Sequence, residues 1–113
     1  MSTHPNAEAI AKIREMSKDN GTRLVTIVAE EYVPGGLELI YVLDAGGELR
    51  TVRSRSGLDD EQESLSSVFK GAENMEREII DLLGARFEGV KGGLFLMPGG
   101  VVAPLRRAAA GGE

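Results

Sequence analysis

The stretch that decides the second half of the fold is Ala72-Glu-Asn-Met-Glu-Arg-Glu-Ile-Ile-Asp-Leu-Leu83, which Gly84 follows. Its apolar residues recur at steps of three and four, which predicts an amphipathic helix. The predicted apolar stripe consists of Ala72, Met75, Ile79, Leu82 and Leu83. A glycine directly after the stripe predicts a left-handed C-terminal cap at Gly84. We therefore expect a helix over residues 72–83 with one buried face.

The other side of this helix is charged. Its charged residues are Glu73, Glu76, Arg77, Glu78 and Asp81. Arg77 lies four positions from both Glu73 and Asp81, so either carboxylate can pair with it and stay ionised. We interpret this side as a solvated face, with a surface for a protein partner as the functional alternative. A catalytic carboxylate pair is disfavoured because no other polar group is available to complete a mechanism.

The N-terminal part of the chain predicts one helix and one strand. Apolar spacing predicts the helix over residues 7–19, with Asn6 as its N-cap and Asn20-Gly21 as its left-handed stop. The next residues, 22–32, are rich in β-branched side chains, which favour a strand. Because the run from Leu24 to Ala29 is largely apolar, we expect this strand to be covered on much of both faces and to lie centrally in a sheet.

Two further strands are predicted between glycine-containing breaks. The first covers residues 37–43 and places four large side chains on one side. These are Leu37, Leu39, Tyr41 and Leu43. The second covers residues 48–55, is more polar, and carries Arg50, Arg53 and Arg55. Short breaks favour antiparallel neighbours, and we interpret the arginines as charges that protect a sheet edge, with an acidic partner surface as the alternative.

These elements predict an α+β fold. It would have two layers, a mainly antiparallel sheet, one N-terminal helix and one later amphipathic helix, in the order α-β-β-β-α-β. Short strands or extended segments are expected at residues 86–88 and 93–97. The length of 113 residues predicts a single domain, over residues 1–107. The Gly- and Ala-rich end predicts a disordered tail at residues 108–113.

The chain contains no cysteine and a single histidine, His4. Iron–sulfur clusters need thiolates, zinc sites nearly always need Cys or His, and nucleophilic triads need a positioned imidazole. This chain alone therefore cannot carry these chemistries. The acidic run at residues 59–63 lacks the ligand spacing and glycine of an EF-hand loop, so we interpret it as a solvated loop. We expect this chain to bind no metal or cofactor.

The charge, the motifs and the hydropathy of the chain argue against three other classes of protein: nucleic-acid-binding, nucleotide-binding and membrane-spanning. With 18 acidic and 13 basic residues, the net charge of −5 argues against nucleic-acid binding, which depends on basic contacts to phosphates. The segment from Gly84 to Lys91 superficially resembles a phosphate-binding loop, but a helix precedes it and the lysine comes one place late. No stretch approaches the ~20 apolar residues that cross a bilayer. We expect a cytoplasmic protein.

One pattern in the C-terminal half resembles a known family. The residues that carry it are Ser67, Val68-Phe69, Ala72, Glu76-Arg77-Glu78-Ile79, Asp81, Gly84, Phe87, Gly89 and Pro104-Leu105-Arg106-Arg107. In this order they resemble the 30 kDa subunit family of respiratory complex I, the NADH-quinone oxidoreductase. The family includes the related subunit or domain of energy-converting, membrane-bound nickel–iron hydrogenases and of formate hydrogenlyase.

The resemblance implies a non-catalytic scaffold subunit that packs against the large catalytic subunit of such a complex. It would lie on the cytoplasmic face and associate with the membrane only through the complex. Iron–sulfur clusters and, in the hydrogenase type, a nickel–iron centre would belong to partner subunits. The implied partner interface consists of Glu76, Arg77, Glu78, Asp81, Gly84, Phe87, Pro104, Leu105 and Arg106.

The sequence departs from the family pattern in two places. Complex I members usually continue after Gly89 with His-Pro-Asp and an arginine pair, whereas Val90-Lys91-Gly92-Gly93 follows here. The chain also stops shortly after Arg107. Both departures favour the hydrogenase type over respiratory complex I proper. The alternative from another class is a free-standing acidic adaptor module without catalytic activity, which would form a homodimer through its sheet or through residues 93–97.

Overall fold

The computed structural model describes residues 4–19 and 21–91, together with the backbone of two short strands farther along the chain. The elements in chain order are α1 (Ala7–Met16), β1 (Thr22–Glu30), β2 (Gly36–Ala45), β3 (Glu48–Gly57), β4 (Glu61–Gln62), α2 (Ala72–Leu83), β5 (Arg86–Phe87), β6 (Leu96–Met97) and β7 (Val101–Val102). This confirms the predicted α+β fold and its element order, with two-residue strands added before α2 (β4) and after β5 (β6 and β7).

The main sheet is an antiparallel meander in the order β1-β2-β3. All four large side chains predicted on one side of β2 are fully buried. The prediction that β1 lies centrally is wrong, because the hairpin connections place β2 in the middle and leave β1 at an edge. The expectation that β1 is covered on much of both faces is also wrong, because Val25 and Val28 are almost half exposed. The arginine-bearing strand β3 is the other edge, as predicted.

Both helices pack on the face of the sheet that carries Tyr41. Helix α1 lies against β3, and α2 lies against β1. The core between the two layers includes Ile10 and Ile13 of α1, Ile79 of α2 and the inner side chains of β2. A separate two-stranded sheet is formed by β4, which pairs in parallel with β5. Within the described ranges, no helix is long and apolar enough to cross a membrane.

Helix α1 is shorter than predicted. It ends at Met16, and the backbone N–H of Ser17 donates to the carbonyl of Ile13 at 2.8 Å. The stop predicted at Asn20-Gly21 is therefore placed too late, and Asn20 itself lies outside the described residues. Asn6 occupies the N-cap position, but its side chain makes no capping hydrogen bond. Its side chain bonds instead to Tyr41 and Glu63.

Helix α2 has the predicted bounds, and Gly84 is its left-handed C-cap with a φ of 76°. Its buried face differs from the predicted stripe. Ala72 and Ile79 are buried, but Leu82 is 47% exposed, and Glu76 takes a place in the core instead. The predicted tail at residues 108–113 lies outside the described part of the chain, as do the predicted interface residues Pro104, Leu105 and Arg106.

Candidate functional site

The predicted charged face of α2 divides into buried and exposed residues. Glu76 is 0% exposed, and Asp81 and Phe87 are also buried. Glu78 is exposed, whereas Arg77 and Gly84 are partly buried. The interpretation of this side as solvated is therefore wrong for two of its four carboxylates.

The carboxylate of Glu76 holds the loop that precedes α2. Its Oε1 accepts a hydrogen bond from the Ser64 hydroxyl, and its Oε2 accepts one from the backbone N–H of Leu65, both at 2.7 Å. Burial raises the pKa of Glu76, and these two hydrogen bonds offset part of the rise. Because both oxygens already have donors from the same chain, the carboxylate acts as a structural anchor.

Asn6 holds the same loop through a second set of hydrogen bonds. Its Nδ2 donates to the carbonyl of Glu63 at 2.9 Å, and its Oδ1 accepts from the backbone N–H of Glu63 at 2.6 Å. Nδ2 also donates to the Tyr41 hydroxyl at 3.1 Å. Burial raises the pKa of that hydroxyl. Asn6 and Glu76 thus form a loop anchor that ties α1, β2 and α2 to residues 63–65.

The burial of Glu76 has a signal in the sequence. Glu76 follows Ala72 by four positions and precedes Ile79 by three, so it lies within the apolar stripe of the helix. A carboxylate at such a position must be satisfied by hydrogen bonds. The donors come from Ser64 and Leu65, which no helical spacing relates to Glu76, so their identity follows only from the fold.

The outward side of α2 presents a row of three exposed residues, Asn74, Glu78 and Leu82. They are spaced by four and therefore line one side of the helix. Beside them, Arg77 Nη2 pairs with Glu73 Oε2 at 3.0 Å, which is one of its two predicted partners. We call Asn74, Glu78 and Leu82 the α2 row. The sequence analysis missed Leu82 as a surface residue because its helical spacing placed it in the predicted apolar stripe.

The three arginines of β3 do not form one cluster. Arg50 pairs with Glu48 at 3.2 Å, near one end of the strand. Arg53 and Arg55 both pair with Glu38 of β2, at 3.6 and 3.1 Å.

The acidic run at residues 59–63 includes β4. Across the part of the chain that the structure describes, no group of three or more His, Asp or Glu side chains could hold a metal ion.

Comparisons with known proteins identify the family. The family described as the 30 Kd subunit of respiratory-chain NADH dehydrogenase matches residues 3–113. No curated protein matches with significance.

Among solved structures, the chain is similar to one from the membrane-bound sulfane sulfur reductase (MBS), an archaeal respiratory membrane complex. The TM-score is 0.64 and the sequence identity is 25%, over 80% of this chain and 61% of that chain. The present chain therefore matches about three fifths of the length of that relative. Because the family match spans almost all of its residues, this chain belongs to the 30 kDa subunit family of respiratory-chain NADH dehydrogenase.

Proposed function

We propose that this chain is a non-catalytic scaffold subunit of a membrane-associated electron-transfer complex, of the hydrogenase-like or NADH-quinone oxidoreductase-like type, and packs against the large catalytic subunit. The observation that carries the proposal is the family match over residues 3–113. The absence of cysteine supports it, because the chain has no thiolate to hold an iron–sulfur cluster. The similarity to a chain of a respiratory membrane complex agrees with it.

The α2 row is the surface that we assign to the large subunit. Leu82 supplies exposed apolar area, and Glu78 supplies a charge one turn before it. Charged groups in this position fix the register and the specificity of an interface more than they raise its affinity. Arg77, held by Glu73, borders the row. Four other residues of the predicted interface contribute to it indirectly, because they hold the shape of the helix and of the turn after it. These are Glu76, Asp81, Gly84 and Phe87.

The redox groups belong to the partners in this proposal. The iron–sulfur clusters, and a nickel–iron centre in a hydrogenase-type complex, would be carried by other subunits. This chain would lie on the cytoplasmic face of the membrane and reach the membrane only through the assembled complex.

Purification of the tagged full-length chain from its own cells in mild detergent tests the proposal. We expect a large, cysteine-rich subunit to co-purify with it. Recovery of the chain alone as a monomer would contradict the proposal. Recovery as a stable homodimer without other subunits would support the free-standing adaptor module instead.

Variants of the α2 row test the proposed surface. Glu78→Arg combined with Leu82→Asp should reduce recovery of the large subunit at least tenfold. Glu15→Arg, on the exposed side of α1, is the matched control and should leave recovery unchanged. Thermal unfolding of each purified variant verifies that the domain is folded. Equal recovery with the double variant and the control would show that the α2 row is not the contact.

A further inference from the structure

The sheet has a second face, opposite the helices, that carries an apolar patch. Strand register places Val28 beside Ile40 in one cross-strand row. It places Thr26, Val42 and Thr51 together in the next row. Leu49 of β3 lies on the same face and is 69% exposed. We call these six residues the outer sheet face. No helix of the described ranges packs on it, and exposed apolar patches of this kind mark interaction sites.

Two arginines border the outer sheet face along β3. Arg53 and Arg55 reach over Glu38, which is only 5% exposed, while their own side chains remain 61% and 62% exposed. The guanidinium of Arg55 also lies over the ring of Tyr32, at 4.6 Å from its centroid. These contacts hold Arg55 in place, which lowers the entropy lost when it binds a partner.

The charges in this cluster are separated across the sheet. Strand register places Glu30 of β1 and Arg55 of β3 on either side of Glu38. Arg53 lies on the same strand as Arg55 and also pairs with Glu38. At this end of the face the two cations therefore lie at the β3 edge, and the carboxylate of Glu30 lies at the β1 edge.

We propose that the outer sheet face docks a second protein partner, which presents apolar side chains bordered by carboxylates that contact Arg53 and Arg55. Charge complementarity supports this occupant, and arginines beside an apolar centre are enriched in protein interfaces. A polyanion such as nucleic acid fits poorly, because the whole chain carries a net charge of −5.

The inference rests on the proposed scaffold role and extends it. Helix α2 packs on the inner face of the sheet, so its exposed row and the outer sheet face lie on opposite sides of the domain. A subunit with two such surfaces can contact two neighbours at once. The α2 row would contact the large subunit, and the outer sheet face would contact another subunit of the complex.

The test compares charge-reversal variants in complexes purified from the native cell. Arg53→Glu with Arg55→Glu should reduce recovery of one subunit at least tenfold while the large subunit is retained. Arg50→Glu is the matched control, because it lies on the same strand with similar exposure but pairs one to one with Glu48. Arg53→Gln with Arg55→Gln, which avoids repulsion from Glu38, should reduce recovery of the same subunit by a smaller factor.

The outcomes separate the two proposals. If the wild-type chain recovers no subunit, the scaffold role fails. If it recovers subunits and the double-reversal variant recovers all of them equally, only the docking of a partner on the outer sheet face is overturned. Two measurements on the isolated chain would also overturn it: a dimer in sedimentation that the double reversal dissociates, or binding to anionic phosphatidylglycerol vesicles that the double reversal abolishes.

Discussion

Two buried glutamates, Glu76 and Glu38, show how the same side chain serves different purposes in one small domain. Glu76 lies in the core and accepts hydrogen bonds only from neutral donors, Ser64 and Leu65. Glu38 lies on the outer side of the sheet and is covered by Arg53 and Arg55, which are themselves exposed. The first carboxylate joins elements within the fold. The second carboxylate holds two cations in position on the surface of the domain.

The largest loss of stability is expected when an apolar side chain close to Glu76 in the helix is truncated. Ile79 lies three positions after Glu76 and is buried in the core. We expect Ile79→Ala to lower the free energy of unfolding by about 2–4 kcal/mol, because burial is lost and a cavity remains. Leu82→Ala on the exposed side of the same helix is the control and should cost less than ~1 kcal/mol. Urea unfolding of the isolated chain measures both, and equal losses would contradict the assignment of the two sides.

Truncation of Glu76 should be the next largest effect. Glu76→Ala removes the acceptor of the buried Leu65 N–H and opens a cavity, so we expect a loss of about 2–3 kcal/mol. Glu76→Gln should recover most of this stability, because the amide oxygen can accept from Leu65 while its NH2 donates to Ser64. Urea unfolding compares the three chains. If Glu76→Gln is as unstable as Glu76→Ala, the anchor depends on the negative charge.

The pH dependence of stability distinguishes the charged from the neutral form of Glu76. Burial raises its pKa in the folded chain above the ordinary value of 4.5, so the folded state binds the proton more tightly than the unfolded state. Its contribution to stability is therefore complete below pH 4.5 and is lost as pH rises through the folded pKa. Relative to Glu76→Gln, the wild type should lose stability over this window and then stay constant. A wild type that gains stability over the same window would refute the raised pKa.

Glu38 should matter least for stability. Its arginine partners are exposed, so their ion pairs are screened and each contributes little. We expect Glu38→Gln to lower the free energy of unfolding by less than ~1 kcal/mol, with a smaller loss at high salt. Urea unfolding at low and high salt measures this. A loss as large as that of Glu76→Ala would show that Glu38 is part of the structural core.

Local patterns predicted the elements of this fold well. The bounds of α2, the glycine cap after it and the inner side of β2 all follow from short-range periodicity and turn chemistry, which depend on neighbours in sequence. The position of β1 in the sheet could not be predicted from such local patterns. An apolar strand has the same residue pattern at the edge of a sheet as at its centre. Asn6 likewise has the residue type of an N-cap, but Tyr41 and Glu63, which are distant in sequence, engage its side chain.

The sequence by itself determined the order of helices and strands, the family and the lack of any thiolate chemistry in this chain. Only the tertiary structure decided which charges are buried. Helical periodicity identifies the side of α2 that meets the sheet, but it does not say that Ser64 and Leu65 offer donors there to Glu76, or that Arg53 and Arg55 converge on Glu38. Those contacts form only when segments far apart in sequence are brought together. Only then do hydrogen bonds and ion pairs offset the free-energy cost of burying a carboxylate.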